Sequence, residues 1–200
     1  MRKGIFSKLA VQNIRNNKST YIPYMITCIF CIAMIYMMEF LRDCPTLDQA
    51  VRHAAEVRMI LSTGEVVVVI FCVIFLIYSN SFLMKRRQKE IGLYNILGLE
   101  RNHIGIVLLL ETIFTTILSL TGGIAIGILA SKLSLLLLLR LLHIPAVLGF
   151  YISTKGIITC LLMFGAIFLL ILLLNLRRIH LSRPVAVSYT HLRAHETGRN

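Results

Sequence analysis

Four long runs of apolar residues alternate with more polar stretches along the 200-residue chain. The runs extend from about Ile22 to Phe40, Val66 to Leu83, Ile104 to Ala130 and Ile157 to Leu176. An α-helix rises about 1.5 Å per residue, so each run can cross the roughly 30 Å hydrocarbon layer of a bilayer. The pattern therefore predicts an all-α integral membrane protein with four transmembrane helices.

The residues that precede the first run, GIFSKLAVQNIRNNKSTY, have a helical period of their own. Apolar side chains fall roughly on one face and polar side chains on the other: Ile5, Phe6, Leu9 and Ile14 against Ser7, Lys8, Gln12 and Arg15. The pattern predicts a short basic amphipathic helix that lies in a membrane interface. An irregular polar leader is the alternative. The small-residue cleavage site of a signal peptide is missing after the first run, so we expect the first helix to stay in the membrane.

The third run contains a row of small residues, Gly123, Gly127 and Ser131. A GxxxG spacing lets two helix backbones approach closely inside a bilayer, so the row predicts a helix-packing face. Beyond it, KLSLLLLLRLLHIPAVLGF stays apolar around Lys132 and Arg140. This stretch indicates either a continued third helix or a second amphipathic segment, and Pro145 would end both.

Composition supports lipid as the solvent, because 57% of the residues are hydrophobic, 15% are charged and the mean hydropathy is +0.80. The formal net charge of +12 is better explained by topology than by nucleic-acid binding. Counted up to residue 185, thirteen basic residues lie before the first helix, between the second and third and after the fourth, against six in the other two loops. Because Lys and Arg accumulate on the cytoplasmic side, both ends and the middle loop are predicted to be cytoplasmic, N-in and C-in.

The middle loop, MKRRQKEIGLYNILGLERNHIG from Met84 to Gly105, is longer than a turn requires. Ile91, Tyr94 and Leu97 or Gly98 recur at helical spacing, and Gly98 can end such a helix. A cytoplasmic helix with an apolar face in water needs a partner to cover it. We therefore predict a cytoplasmic helix between the second and third spans that docks on another protein.

Glu111 is the one ionisable residue well inside a predicted span. A charge facing lipid is costly, so we expect Glu111 to face the interior of the helix bundle. Two roles remain open for it: a switch that bonds a neighbouring helix differently in two states, and a constitutive interhelical hydrogen bond.

The sequence carries little that resembles catalytic or metal chemistry. It shows neither a nucleophile–base pair nor a Walker-type phosphate loop, and four of the five cysteines lie in apolar runs without CxxC spacing. We therefore predict that the chain is not an enzyme, has no catalytic residues and binds no metal or cofactor of its own.

Several segments resemble FtsX-like permeases, in particular the branch found in bacitracin-type antimicrobial-peptide ABC transporters. The resemblance is most specific in YSNSFLMKRRQKEIGLYNILGLERNHI and continues in LAVQNIRNNKSTYIPYMITCIFCIAMIYMM, ETIFTTILSLTGGIAIGILASKL and LNLRRIHLSRPV. It implies a permease subunit that works with a separate cytoplasmic ATPase, which binds the ATP. Cell-wall-active peptides such as bacitracin, or their complexes with lipid-linked precursors, would be its substrates, and a membrane sensor histidine kinase is a frequent partner in the family.

The same resemblance implies that a coupling segment within residues 85–98 docks on the ATPase. Its members are Lys85, Arg86, Arg87, Lys89, Glu90, Ile91, Gly92, Leu93, Tyr94, Leu97 and Gly98. The charged members would make polar contacts, and Ile91, Leu93, Tyr94 and Leu97 would pack against the partner. An alternative function is an FtsX-like scaffold that transmits the ATPase state to extracellular cell-wall machinery without transport.

The family's permeases have about ten spans, so we expect residues 1–185 to be the first part of a longer permease whose remaining half is a partner of this region. Residues 186–200 depart from the family pattern. Within them, VSYTHLRAHET, Val187 to Thr197, resembles an in-frame translation of a sequencing adapter. We therefore expect a non-native tail at 186–200.

Overall fold

The computed structural model describes residues 3–45, 53–96, 101–141, 143 and 152–181. Five long helices occupy these ranges: α1 (Lys3–Asn16), α2 (Lys18–Arg42), α3 (Ala54–Ile96), α4 (Arg101–Leu141) and α5 (Thr154–Leu181). Four segments are long and apolar enough to cross a membrane: Lys18–Arg42, Ala55–Gln88, Asn102–Leu141 and Thr154–Arg178. The predicted all-helical architecture with four candidate spans is confirmed, and the described residues contain no strand. The expected tail at 186–200 lies outside them.

α3 and α4 are much longer than the apolar runs that predicted them. They contain 43 and 41 residues, so each helix extends over about 60–65 Å, roughly twice the thickness of the hydrocarbon layer. α3 continues through KRRQKE because these residues favour a helix even though they are not apolar. α4 continues through Lys132 and Arg140 to Leu141, which decides for a continued helix over a separate amphipathic segment.

α2 lies at the centre of the bundle and contacts all four other helices. Its buried side chains include Ile32, Ile35, Tyr36 and Phe40, all of them 0% exposed. α3 runs antiparallel to α2, since Glu65 near the start of α3 pairs with Arg42 at the end of α2. α4 runs parallel to α2. The bundle therefore has an end that carries α1, the last turns of α3 and α5, and the first turns of α4. We refer to it as the α1 end.

α1 is almost continuous with α2. Only Asn17 interrupts them, with φ −103° and ψ 32°, and the amides of Asn17 and Tyr21 still donate to carbonyls four residues earlier at 3.0 and 3.1 Å. The predicted helix exists. Among its described side chains, which begin at Ser7, Ala10 and Asn13 are buried against the bundle, while Leu9 and Ile14 are half-buried. Ala10, Asn13, Leu9 and Ile14 therefore pack α1 on the protein, and the other two residues of the predicted apolar face, Ile5 and Phe6, have side chains outside the described residues.

The small-residue row of α4 faces α2. A Cβ atom on Gly123 would lie 2.6 Å from Cβ of Ile32, and one on Gly127 would lie 3.0 Å from Cδ1 of Tyr36. Ser131 is fully buried in the same row and bonds the carbonyl of Ile128 at 2.9 Å. α2 and α4 thus approach so closely that only hydrogen fits at Gly123.

Gly123→Ala is expected to lower the free energy of unfolding by about 1–3 kcal/mol, because the added methyl group must displace Ile32 or separate α2 from α4. Gly165→Ala is the matched control, since among the described residues nothing lies within 4 Å of the added Cβ. It should be neutral or stabilising by about 0.5–1 kcal/mol. All five cysteines are buried and unpaired, so a thiol-reactive fluorophore can follow thermal unfolding in detergent. Equal melting temperatures for the two variants would contradict this packing.

Candidate functional site

The predicted coupling segment is the last part of α3, which leaves the bundle without a break. Within it, Lys85, Arg86, Gly92 and Leu93 are exposed and Glu90 is partly exposed. Leu97 and Gly98 lie outside the described residues, as do the side chains of Lys89 and Tyr94. The proposed end of the helix at Gly98 is therefore not described either. Among the described side chains of the coupling segment, those exposed to solvent are two cations and one leucine: Lys85, Arg86 and Leu93.

The opposite face of this segment is turned toward α4. Met84 and Ile91 pack with Ile104 and Leu108 of α4 in one buried cluster. Ile91 is only 8% exposed, so its side chain is covered by this chain, although it belongs to the set that the resemblance assigns to the ATPase contact. The segment is thereby fixed to the start of α4.

Arg87 lies between these two apolar residues on the same face and is 3% exposed. Its guanidinium forms an ion pair with Glu111 of α4 and donates to the Tyr21 hydroxyl at 2.7 Å. It also lies over the Tyr21 ring, 5.7 Å from the centroid. Arg87, which the resemblance places among the residues that contact the ATPase, is thus engaged inside the bundle.

Glu111 is 2% exposed and faces the bundle interior, as its sequence position predicted. Asn13 of α1 donates to its Oε1 at 3.0 Å, and Tyr21 of α2 donates to its Oε2 at 2.9 Å. With Arg87, three donors from three helices converge on one carboxylate, which is the arrangement expected for its ionised form. We call Asn13, Tyr21, Arg87 and Glu111 the Glu111 cluster.

The cluster joins four helices at the α1 end, because each member belongs to a different one. A buried ion pair contributes little net stability, since desolvating two charges offsets their attraction. Removing only one partner is far more costly, because the other charge is then buried alone. We therefore expect the cluster to favour the arrangement of the four helices in which all of its members are paired.

Beside the cluster, Asn80 of α3 and Asn175 of α5 form a reciprocal amide pair, with N–O distances of 2.9 and 3.1 Å. Both side chains are buried. A small internal cavity of about 10 Å³ is bordered by this pair and by Tyr21, Arg87 and Glu111, which is room for about one water. Sequence reasoning missed the pair, although a lone Asn within an apolar run is a signal for an interhelical hydrogen bond.

The opposite end of the bundle holds a second group of charges, also missed from the sequence. Arg42 pairs with Glu39 of its own helix and with Glu65 of α3, and Lys155 of α5 lies 3.3 Å from Asp43. Glu39 is 2% exposed, so Glu111 is not the sole carboxylate that the bundle buries. These pairs connect α2, α3 and α5 at that end. His, Cys, Asp and Glu side chains form no group of three that could hold a metal ion within the described ranges.

A family model described as FtsX-like permease C-terminal matches residues 65–180. Among curated proteins, Bacitracin export permease protein BceB of Bacillus subtilis is 28% identical over 169 residues, which cover 84% of this chain and 26% of that protein. The protein of the same name from Halalkalibacterium halodurans is 29% identical over 167 residues, with 84% and 26% covered.

A third relative, Uncharacterized ABC transporter permease YvcS of Bacillus subtilis, is 27% identical over 172 residues, which cover 86% of this chain and 27% of that protein. The chain thus spans about a quarter of the length of the curated relatives it matches.

Proposed function

Because the chain belongs to the FtsX-like permease family, we propose that it forms the first part of the permease subunit of an ATP-driven ABC transporter. The chain is a multi-pass protein of the bacterial cell membrane. In this proposal a separate cytoplasmic ATPase binds and hydrolyses ATP, and the α1 end faces the cytoplasm, with N-in and C-in topology. The excess of Lys and Arg at that end supports the orientation.

The main support for the proposal is that the end of α3 has two opposite faces, one exposed to solvent and one packed against the bundle. Lys85, Arg86 and Leu93 are exposed, while Arg87 and Ile91 attach the same turns to α4 and, through the Glu111 cluster, to α1 and α2. A protein that moved the exposed face would therefore move four helices together. Rigid-body movement of this kind is one of the ways in which a docked subunit drives a conformational change.

For the substrate, we propose cell-wall-active antimicrobial peptides of the bacitracin and lantibiotic type. The support is that two relatives carry the name bacitracin export permease. A membrane histidine kinase that senses the same peptides is the further partner in this proposal.

The proposal is tested by reconstituting the permease and its candidate ATPase in liposomes and measuring ATP hydrolysis with and without bacitracin. We expect the permease to bind the ATPase and bacitracin to stimulate hydrolysis. A permease that regulates the ATPase but neither responds to a peptide nor relieves peptide inhibition in cells would favour the scaffold function instead. A permease that does not associate with the ATPase would contradict both functions.

A further inference from the structure

A groove lies on the outside of the bundle where α1 meets α2 and α4. Its deeper part has a volume of about 570 Å³ and a floor that includes Ile22, Met25, Ile117 and Leu118. Its outer part, about 630 Å³, lies along α1 beside Lys8 and Gln12. The two parts share Val11, Arg15 and Phe114, so they form one continuous depression.

The groove runs from the edge of the membrane-spanning part of α2 toward its interior. Arg15 and Lys18 lie where the candidate span of α2 begins at Lys18, and Met25 and Thr121 mark the deep end. Lys18 and Met25 are seven residues apart on one helix, which corresponds to a depth of about 10 Å. The rim of the groove is therefore at the level of lipid headgroups, and its floor is at the level of acyl chains.

The charged side chains at the rim of the groove are all positive. Lys8, Arg15 and Lys18 are exposed, and neither Arg15 nor Lys18 takes part in an ion pair among the described residues. α1 contains no Asp or Glu, and the first acidic residue of α2 is Glu39 at its far end. Glu111 lies near the groove, but its carboxylate is buried and bonded within the Glu111 cluster. Nothing acidic on these helices competes with an anionic ligand.

From this shape and charge we infer that the groove binds one anionic glycerophospholipid from the leaflet at the α1 end. The phosphate contacts Arg15 and Lys18, and one acyl chain lies between α2 and α4 along Ile22, Leu118 and Met25. Juxtamembrane cations attract anionic lipid headgroups, and an apolar concave floor distinguishes a lipid site from general surface attraction. The bound lipid would cover the junction of α1 and α2, next to the Glu111 cluster. The inference does not depend on the proposed transport function.

The test measures lipid retained by the purified protein. The protein is incubated with equal amounts of phosphatidylglycerol and phosphatidylcholine, washed in detergent, and the lipid that remains bound is quantified by mass spectrometry. Wild type should retain phosphatidylglycerol in preference to phosphatidylcholine. Arg15→Gln and Lys18→Gln should each weaken this retention about fivefold. Thr121→Trp, which fills the deep end, should reduce the retention of either lipid.

Arg177→Gln is the matched control, because Arg177 is an exposed cation at the same end of the bundle and is not among the residues that line the groove. It should retain phosphatidylglycerol as wild type does. An equal loss in the Arg177 variant would show general surface attraction, and equal retention of phosphatidylcholine by wild type would show an unselective groove. Either result overturns the inference. All of these side chains are on the surface, so melting temperatures measured without added lipid should be unchanged.

Discussion

Replacing Glu111 by leucine is expected to lower the free energy of unfolding by about 3–5 kcal/mol. The carboxylate is the counter-charge of Arg87, whose side chain is 3% exposed. Without it, the guanidinium stays buried beside Tyr21 with only the partly exposed Glu90 carboxylate, 3.6 Å from its Nε, as a counter-charge. Asn13 and Tyr21 both lose their acceptor. Unfolding is followed through the buried cysteines in detergent or by titration with a denaturing detergent.

The double variant Arg87→Met with Glu111→Leu tests whether the loss comes from the ion pair. Removing both charges leaves neither one buried alone, so its free energy of unfolding should return to within about 2 kcal/mol of wild type. Gln88→Ala, a change at the exposed neighbour of Arg87, is the control and should be nearly neutral. If the losses from the two single variants instead add up in the double variant, the two residues are not coupled.

The same double variant separates the two roles considered for Glu111. It should be stable, so its effect on ATP hydrolysis can be measured without interference from unfolding. Peptide-stimulated hydrolysis that persists would identify the Glu111 cluster as a constitutive contact. Hydrolysis that no longer responds to peptide would identify it as part of the transmission between the ATPase and the membrane helices.

Arg86→Glu is expected to weaken association with the candidate ATPase by at least about tenfold, since it reverses a charge on the exposed face of the coupling segment. Leu93→Asp should have a similar effect, because Leu93 is 55% exposed and a charge there would prevent apolar contact. Arg87→Glu is unsuitable for this test, because it would place two acidic residues together in the interior. Association is measured by co-purification of the two subunits and by titration of ATP hydrolysis.

Arg177→Glu is the control for these two variants, since it reverses an exposed positive charge at the same end of the bundle. It should bind the ATPase as wild type does. If the Arg86 and Leu93 variants also bind and stimulate hydrolysis like wild type, the exposed face of α3 is not the docking surface.

The lengths of the apolar runs were sufficient to predict four spans and their order, because each run has at least the roughly 17 residues that a helix needs to cross a bilayer. It was not sufficient to predict where α3 ends. The apolar run of α3 ends at Leu83. The Lys, Arg, Gln and Glu residues that follow are good helix formers, so the helix continues beyond it. The inward orientation of Glu111 followed from the cost of exposing a carboxylate to lipid.

The partner of Glu111 was harder to predict, since Arg87 is one of several cations in a basic run. A signal was present: Met84, Arg87 and Ile91 are spaced three and four residues apart, so Arg87 falls on the apolar face of its helix. Asn13 and Tyr21 could not be assigned, because their contacts with Glu111 depend on how α1 and α2 pack on α4. Contacts that depend on how helices pack together leave no periodic pattern in the sequence.

The unbroken course of α3 has a consequence for the length of this part of the chain. Each residue added to an α-helix turns everything beyond it by about 100°. One extra residue directly after Leu83 would therefore rotate Arg86, Arg87 and Ile91 away from their present directions relative to the span. An insertion of seven residues, about two full turns, would nearly restore the directions but move them about 10 Å further along the axis. Because α3 is one continuous helix, the number of residues between its span and Arg87 determines in which direction Arg86, Arg87 and Ile91 point relative to the lipid-facing side of the span.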